Sequence, residues 1–202
     1  MKILVQEQKM DCSNLKQLYQ WCLRSHYDKN DHHPEYFLNP ECGMPIVARM
    51  ELTCDLLASV LGVYKMKNIP VSLSECRYAI EREKWYNWKY AIIDFLPVPS
   101  NTAPHRGERW KHFSNEEKIK LQELFEQYKK GTCVDFIRNE LEKLDSVQYY
   151  LQDLRYHKSA ICEVWEQIPE FKIPGMKERI DKHDEDKFDT IMILGYTAEW
   201  CF

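Results

Sequence analysis

Apolar residues recur at helical intervals through most of this chain, and the interruptions fall at proline, glycine, asparagine and aspartate. Residues 13–27 predict a first helix, with Ser13 as N-cap and Leu15, Leu18, Tyr19 and Cys22 on its inner face. DKND (28–31) is turn chemistry, and Pro34 with Glu35 restarts the chain in a helical first turn. A helix over 45–61 is expected to open at Pro45 and close at Gly62. Its core stripe runs Val47, Met50, Cys54, Leu57, Leu61, and beside it lies a second stripe, Ala48, Glu51, Asp55, Ala58. An aromatic-rich helix is expected over 72–90, and the proline-rich segment 96–107 is read as a long loop. Ser114 with Glu117 predicts a capping box opening a helix to Lys130. Further helices are expected over 133–144, 146–167 and 176–200.

Composition agrees with an all-α fold. Only 6 of 202 residues are glycine, while leucine, lysine and glutamate are plentiful. Hydrophobic content of 44% and charge of 30% are values of a folded globular chain, and the length suits one domain. The net charge of −4 speaks against a protein that binds nucleic acid through a basic surface. No stretch approaches the ~18 apolar residues of a membrane span. The eight cysteines contain no C-x-x-C pair, so they are read as free thiols in a reducing cytoplasm rather than a zinc ribbon.

Any metal chemistry must then use nitrogen and oxygen donors. Three histidines, His26, His32 and His33, fall within eight residues, among Asp28, Asp31 and Glu35. Glu51 and Asp55 stand one helical turn apart beside a core stripe, as a face turned towards cations would. Downstream, His157 shares a helix face with Asp153, and His183 precedes Asp184, with Lys187 one turn further on if the helix is continuous. Imidazoles and carboxylates suit a borderline or hard divalent ion. On a helix adjacent His and Asp diverge by about 100°, so the carboxylate can bridge two ions while the imidazole serves one. Taken singly, each piece has a plain alternative: a polar turn, a solvated helix face, a structural histidine. The tryptophans and tyrosines of 85–90 read as core or interface, and His105 and His112 as surface residues.

His183-Asp184 followed by Lys187 resembles the signature of the HD superfamily of metal-dependent phosphohydrolases. More closely, Tyr156-His157-Lys158, Ser25-His26-Tyr27 with Asn30, His32-His33-Pro34-Glu35-Tyr36, Gly43-Met44, and Glu51 through Cys54-Asp55 are similar to segments of a small HD-like bacterial and phage family of unknown function. The order differs, because the His-His-Pro-Glu-Tyr half (12–90) precedes the His/HD half (147–202). The chain thus resembles a circular permutant, with a connecting insertion over 91–146. Leu56 and Asp186 stand where that family commonly has Trp and Ser.

The resemblance implies an HD-like helical bundle holding one or two divalent ions (Mn, Fe, Co, Ni, Zn or Mg). By position it makes His157, His183, Asp184 and Asp55 ligands of one ion. Asp184, His26 and one or both of His32 and His33 would hold the other. It assigns Glu51 to support a ligand or hold a water, and Lys187 to contact a phosphate. The implied activity is hydrolysis of a phosphate ester or anhydride, a nucleotide or nucleotide-derived signal, in the cytoplasm of the cell or of a virus's host. Two other classes share the donor set: a di-iron oxygenase, and a non-catalytic metal-containing nucleotide-binding protein, a viral one included.

Overall fold

The structure, a computed structural model, describes residues 14–96 and 114–199. All regular structure there is helical: α1 (Leu15–Tyr27), α2 (Pro40–Gly43), α3 (Ile46–Met66), α4 (Leu73–Glu83), α5 (Asn115–Lys129), α6 (Val134–Leu141), α7 (Asp145–Glu166), α8 (Met176–Lys182) and α9 (Thr190–Glu199), with short 3-10 turns between some of them. No described helix is long and apolar enough to cross a membrane. The loop expected over 96–107, together with His105 and His112, lies outside the described residues but for Leu96. So does Ser13, and α1 is capped instead by Asn14, whose side chain accepts from the Gln17 amide.

The apolar residues form two cores. One gathers α3, α4, α8 and the second half of α7, with Leu52, Leu57, Ile80, Ile161 and Ile180 at its centre. The other gathers α1, α5, α6, α9 and the first half of α7, around Leu18, Leu124, Ile137, Leu151 and Ile193. Helix α7 runs through both, and His157 falls between its Leu154 in one core and its Ala160 in the other. Packing of α3 on α7, and of α1 on α9, closes the two halves around that seam. Gly195 of α9 permits the second contact, since a Cβ there would stand 2.3 Å from the Cys22 sulfur of α1.

The helix ends correct several sequence expectations. Gly62 does not stop α3. The helix continues to Met66, and Gly62 is buried at the crossing with α7, its Cβ direction facing the His157 backbone at 3.8 Å. Burial of Leu61, Val63 and Tyr64 outweighs the ~1 kcal/mol that glycine costs inside a helix. The terminator is Asn68, which takes a left-handed conformation (φ 56°). The aromatic stretch is also not one helix: α4 ends at left-handed Lys84, and Tyr86–Tyr90 forms a 3-10 turn. That turn and the strand of chain after it are tied to α3. The Arg49 Nε donates to the Tyr90 carbonyl (2.8 Å) and the Ile92 amide to Thr53 Oγ1 (2.8 Å). Ser114 caps α5 as expected, but Glu117 does not return the bond to it and accepts from the Ser146 amide instead (3.1 Å).

The largest correction concerns 176–200, which is two helices rather than one. Helix α8 ends at Lys182, Asp184 is left-handed (φ 59°), and a 3-10 turn over Glu185–Phe188 leads to α9. The charged run KHDEDKFD offers few apolar residues to hold a helix against the core, and aspartate tolerates the left-handed region better than most residues. Three of the six described cysteines, Cys22, Cys54 and Cys76, are buried, Cys162 is intermediate and Cys42 and Cys133 are exposed. None of the six is in a disulfide.

A candidate metal centre on the seam between two cores

The break before α9 is what brings Asp184 inward. With helical geometry abandoned at His183 and Asp184, both side chains turn into the seam, where they are almost fully buried. His26 arrives from the last turn of α1, His32 and His33 from the reversal that follows, Glu51 and Asp55 from α3, and His157 from α7. All the histidines and acids picked out as ligands from the sequence therefore meet in one place. The geometry that brings the adjacent pair there is a left-handed turn, not the helical divergence expected.

Two donor sets can be distinguished. In the first, His157 Nε2 lies 3.1 Å from Asp55 Oδ1, 3.3 Å from His183 Nε2 and 3.5 Å from Asp184 Oδ2. His183 Nε2 is 3.5 Å from both of those carboxylate oxygens. Ligands held at about 2.1 Å from one divalent ion must be roughly 3.0–3.4 Å apart, so these four donors fit a single ion. In the second, His26 Nε2 lies 2.9 Å from His33 Nε2 and 3.2 Å from Asp184 Oδ1. His32 completes the set, with its ligand nitrogen within 4.8 Å of those of His26 and His33.

Asp184 thus presents one oxygen to each set. Nitrogen facing nitrogen, as at His26–His33 and His157–His183, is reconciled by a shared cation or proton. Several buried atoms also have no hydrogen-bond partner among the described residues, His32 Nε2 and Asp184 Oδ1 included. Buried polar atoms left this way cost about 1–3 kcal/mol each unless something binds them. The donor set, its spacing and these atoms fit a bound divalent metal. They do not specify which one.

Around the donors, a further layer holds the rings. Glu51 Oε1 lies 3.1 Å from His183 Nδ1 and 3.3 Å from His32 Nδ1, which directs the Nε2 atoms of both rings to the centre. Arg179 of α8 in turn donates to Glu51 Oε2 (2.7 Å) and pairs with Asp31. On the other side, His26 Nδ1 faces both carboxylate oxygens of Asp186 (2.9 and 3.1 Å). Asn30 bonds the His26 carbonyl (2.7 Å) and lies 3.0 Å from the same ring nitrogen. Lys187 Nζ donates to Asp184 Oδ2 (2.8 Å).

Nothing in the sequence singles out Arg179, and Asp186 stands out there only as a departure from a family pattern. Their spacing to His26 and Glu51 along the chain exceeds 120 residues, so no local signal marks them. Only the run of acids around His183 hinted at Asp186.

The electrostatics suit metal ligation. Burial pushes the His32 and His33 pKa values down, the latter strongly, so both rings favour the neutral form that binds metals. For His183 burial acts the same way but is outweighed by Asp184, Asp55 and Glu51, which push it up to about 10. Burial would raise the carboxyls of Glu51, Asp55 and Asp184. Hydrogen bonds from His183 and His32 to Glu51, hydrogen bonds from His157 and His183 to Asp55, and the charges of His183 and Lys187 beside Asp184 hold all three well below the ordinary range.

A cavity of about 210 Å³ opens beside the first donor set. Asp55, His157 and Asp184 line it, together with Lys187, Tyr196, Tyr150, Asp153 and Glu199. The Tyr150 and Tyr196 rings are stacked with centroids 6.0 Å apart.

Residues 4–96 match a family of unknown function, DUF5662. That segment carries His26, His32, His33, Glu51 and Asp55, while His157, His183 and Asp184 lie outside it. No curated protein and no solved structure matches the chain.

Proposed function

We propose that this protein is a metal-dependent phosphohydrolase of HD type, circularly permuted, acting on a phosphate ester or anhydride. One observation carries the proposal: the Asp184 carboxylate reaches two sets of imidazole and carboxylate donors, one with each oxygen, at the edge of a cavity. Sites that hold two divalent ions recur among enzymes of phosphoryl transfer. The permuted arrangement is supported by the way the donors divide, into positions 26–55 and positions 157–184, which meet because α1 packs on α9 and α3 on α7. Nucleotides or nucleotide-derived signals are the substrates that the HD resemblance suggests.

His26, His32, His33, Asp184, Asp55, His157 and His183 would hold one or two divalent ions, of the class Mn, Fe, Co, Ni, Zn or Mg. Bound there, the metal supplies Lewis acidity to a phosphoryl oxygen and lowers the pKa of a water. The protein's own part is to fix geometry. Glu51 and Asp186 set the His183, His32 and His26 rings, and Asp184 spans the two sets. Lys187 is placed to exchange its bond with Asp184 for one to a phosphoryl oxygen, where its charge offsets the negative charge that grows during transfer. In the reaction a water oxygen forms a bond to phosphorus as the bond to the leaving oxygen breaks. One water proton ends on the leaving oxygen and the other stays with phosphate.

The test is phosphate release from a panel of nucleotides and simple monoesters by protein loaded with each metal. Metal-dependent turnover in the wild type, absent in Asp184→Ala, is expected. Full activity after exhaustive chelation, or in Asp184→Ala, refutes it. The imidazole-rich second set is equally suited to iron. Iron in purified protein, with absorption changes under oxygen and no phosphate release, would establish the oxygenase instead. Tight nucleotide binding without turnover on any metal would establish a binding protein.

A further inference from the structure

Two histidines of the donor sets sit on a segment that supplies nothing to either core. Residues 28–33, DKNDHH, contribute no side chain to the two apolar clusters, yet His32 and His33 reach the seam from this turn. Its placement therefore depends on polar contacts. On the α1 side Asn30 bonds the His26 carbonyl (2.7 Å). On the other side the turn is tied to α8. There the Arg179 guanidinium meets the Asp31 carboxylate, Nη2 donating to Oδ1 and Nη1 lying 3.5 Å from Oδ2. Asp31 immediately precedes His32.

Arg179 also reaches α3. Its Nε donates to Glu51 Oε2 (2.7 Å), and its Nη2 lies 2.7 Å from the same oxygen. The other oxygen of Glu51, Oε1, faces His183 Nδ1 (3.1 Å) and His32 Nδ1 (3.3 Å). His183 belongs to the first donor set and His32 to the second, so one carboxylate oxygen orients a ring of each. The two rings are neighbours, with centroids 4.4 Å apart. A rotation of Glu51 that follows one ring displaces the other, and the planar Arg179 fork, with its fixed donor directions, limits that rotation. The side chains of Arg179 and Asp31 are 29% and 34% exposed, so their pairing adds little to stability. Its consequence is positional. One side chain joins the turn bearing His32, the helix bearing Glu51 and the helix that leads to His183.

We propose that Arg179 is a positioning residue that couples the two donor sets. An ion in one set fixes its ring against Glu51, and Arg179, through Glu51 and Asp31, passes that order to the ring and turn of the other set. This rests on the metal-centre part of the reading above and is independent of the reaction the centre performs. Arg179 is not itself a donor to either ion.

The experiment titrates the metal-free full chain with Co(II), in the wild type, Arg179→Gln and Asp31→Asn. Calorimetry gives the two stepwise binding constants, and the visible absorption of Co(II) reports the donors and geometry around the ions. The readout is the ratio of the second constant to the first within one protein, which an inactive fraction leaves unchanged. Partners behind a ligating imidazole are worth about 10- to 100-fold in metal affinity. Each substitution is therefore expected to lower the ratio about tenfold or more, with two ions still bound at saturation. Asp31→Asn, at the more exposed end of the contact, carries the test where Arg179→Gln does not fold. A ratio equal to the wild type's in either variant overturns the proposal, as does uptake of a single ion by the wild type. Two ions bound with unchanged ratios remove the coupling and leave the metal centre standing, whereas no uptake by the wild type removes both. Phosphate release enters none of these measurements, so the hydrolase is judged separately.

Discussion

His26 and Asp186 lie 160 residues apart in the chain, yet the imidazole Nδ1 of one sits 2.9 Å from a carboxylate oxygen of the other. The contact turns His26 so that its Nε2 points at His33 and Asp184. A carboxylate behind a ligating imidazole fixes the ring and raises its basicity, and its loss typically lowers metal affinity 10- to 100-fold. Asp186→Ser should therefore weaken the His26 set selectively. Metal titration followed by elemental analysis is expected to show one ion retained and the other lost at limiting concentration. Two ions held as tightly as in the wild type would show that Asp186 does not serve His26.

Asp184 touches both sets, so its removal should be felt in both. Asp184→Ala is expected to lose most bound metal while retaining the helical circular-dichroism spectrum, since the helices are held by the two apolar cores and not by the seam. Undiminished metal content would detach Asp184 from the centre.

Metal uptake should release a proton. Burial disfavours the charged form of His183, but Asp184, Asp55 and Glu51 prevail and push its pKa up to about 10. Without metal the ring is protonated at about pH 7, and ligation requires it neutral. Affinity should then strengthen as pH rises from neutrality towards 10, where the proton is no longer there to be displaced. Calorimetry in buffers of different ionisation heat measures this directly. A heat independent of the buffer would contradict it.

The α1–α9 contact should tolerate no added methyl. A Cβ on Gly195 would fall 2.3 Å from the Cys22 sulfur and 3.1 Å from its Cβ. Gly195→Ala is expected to cost about 1–3 kcal/mol by overpacking, read as a lower melting temperature. Adding Cys22→Ala should recover part of the loss, a coupling that a double-mutant cycle detects. Additive losses would place the strain elsewhere.

The local signals proved reliable where the cause was local. Pro45 opens α3's first turn, Ser114 caps α5, and Pro34 begins a 3-10 turn, because each depends on backbone chemistry within a few residues. His26, His32, His33, Glu51, Asp55, His157, His183 and Asp184 could be gathered in advance because histidines and acids in apolar surroundings are few in this chain. Gly62 misled for the opposite reason. Its conformational cost is local, but the burial that overrides it comes from α7, a hundred residues away. The break at Asp184 likewise follows from how little of KHDEDKFD can be buried against the core, which depends on where the core is.

The sequence by itself determined that the chain is helical, from the periodicity of its apolar positions, and which histidines and acids are candidates for one site, from residue type and a family resemblance. Only the tertiary structure decided that the donors form two sets sharing Asp184, that Glu51 and Asp186 hold the rings while Arg179 holds Glu51, and that Asp153, Tyr196 and Glu199 face a cavity beside them. Those relations span 120 residues or more for Asp186 and Arg179. They exist because two apolar cores, stitched by α7, leave one polar seam in which the buried groups must satisfy one another or a bound ion.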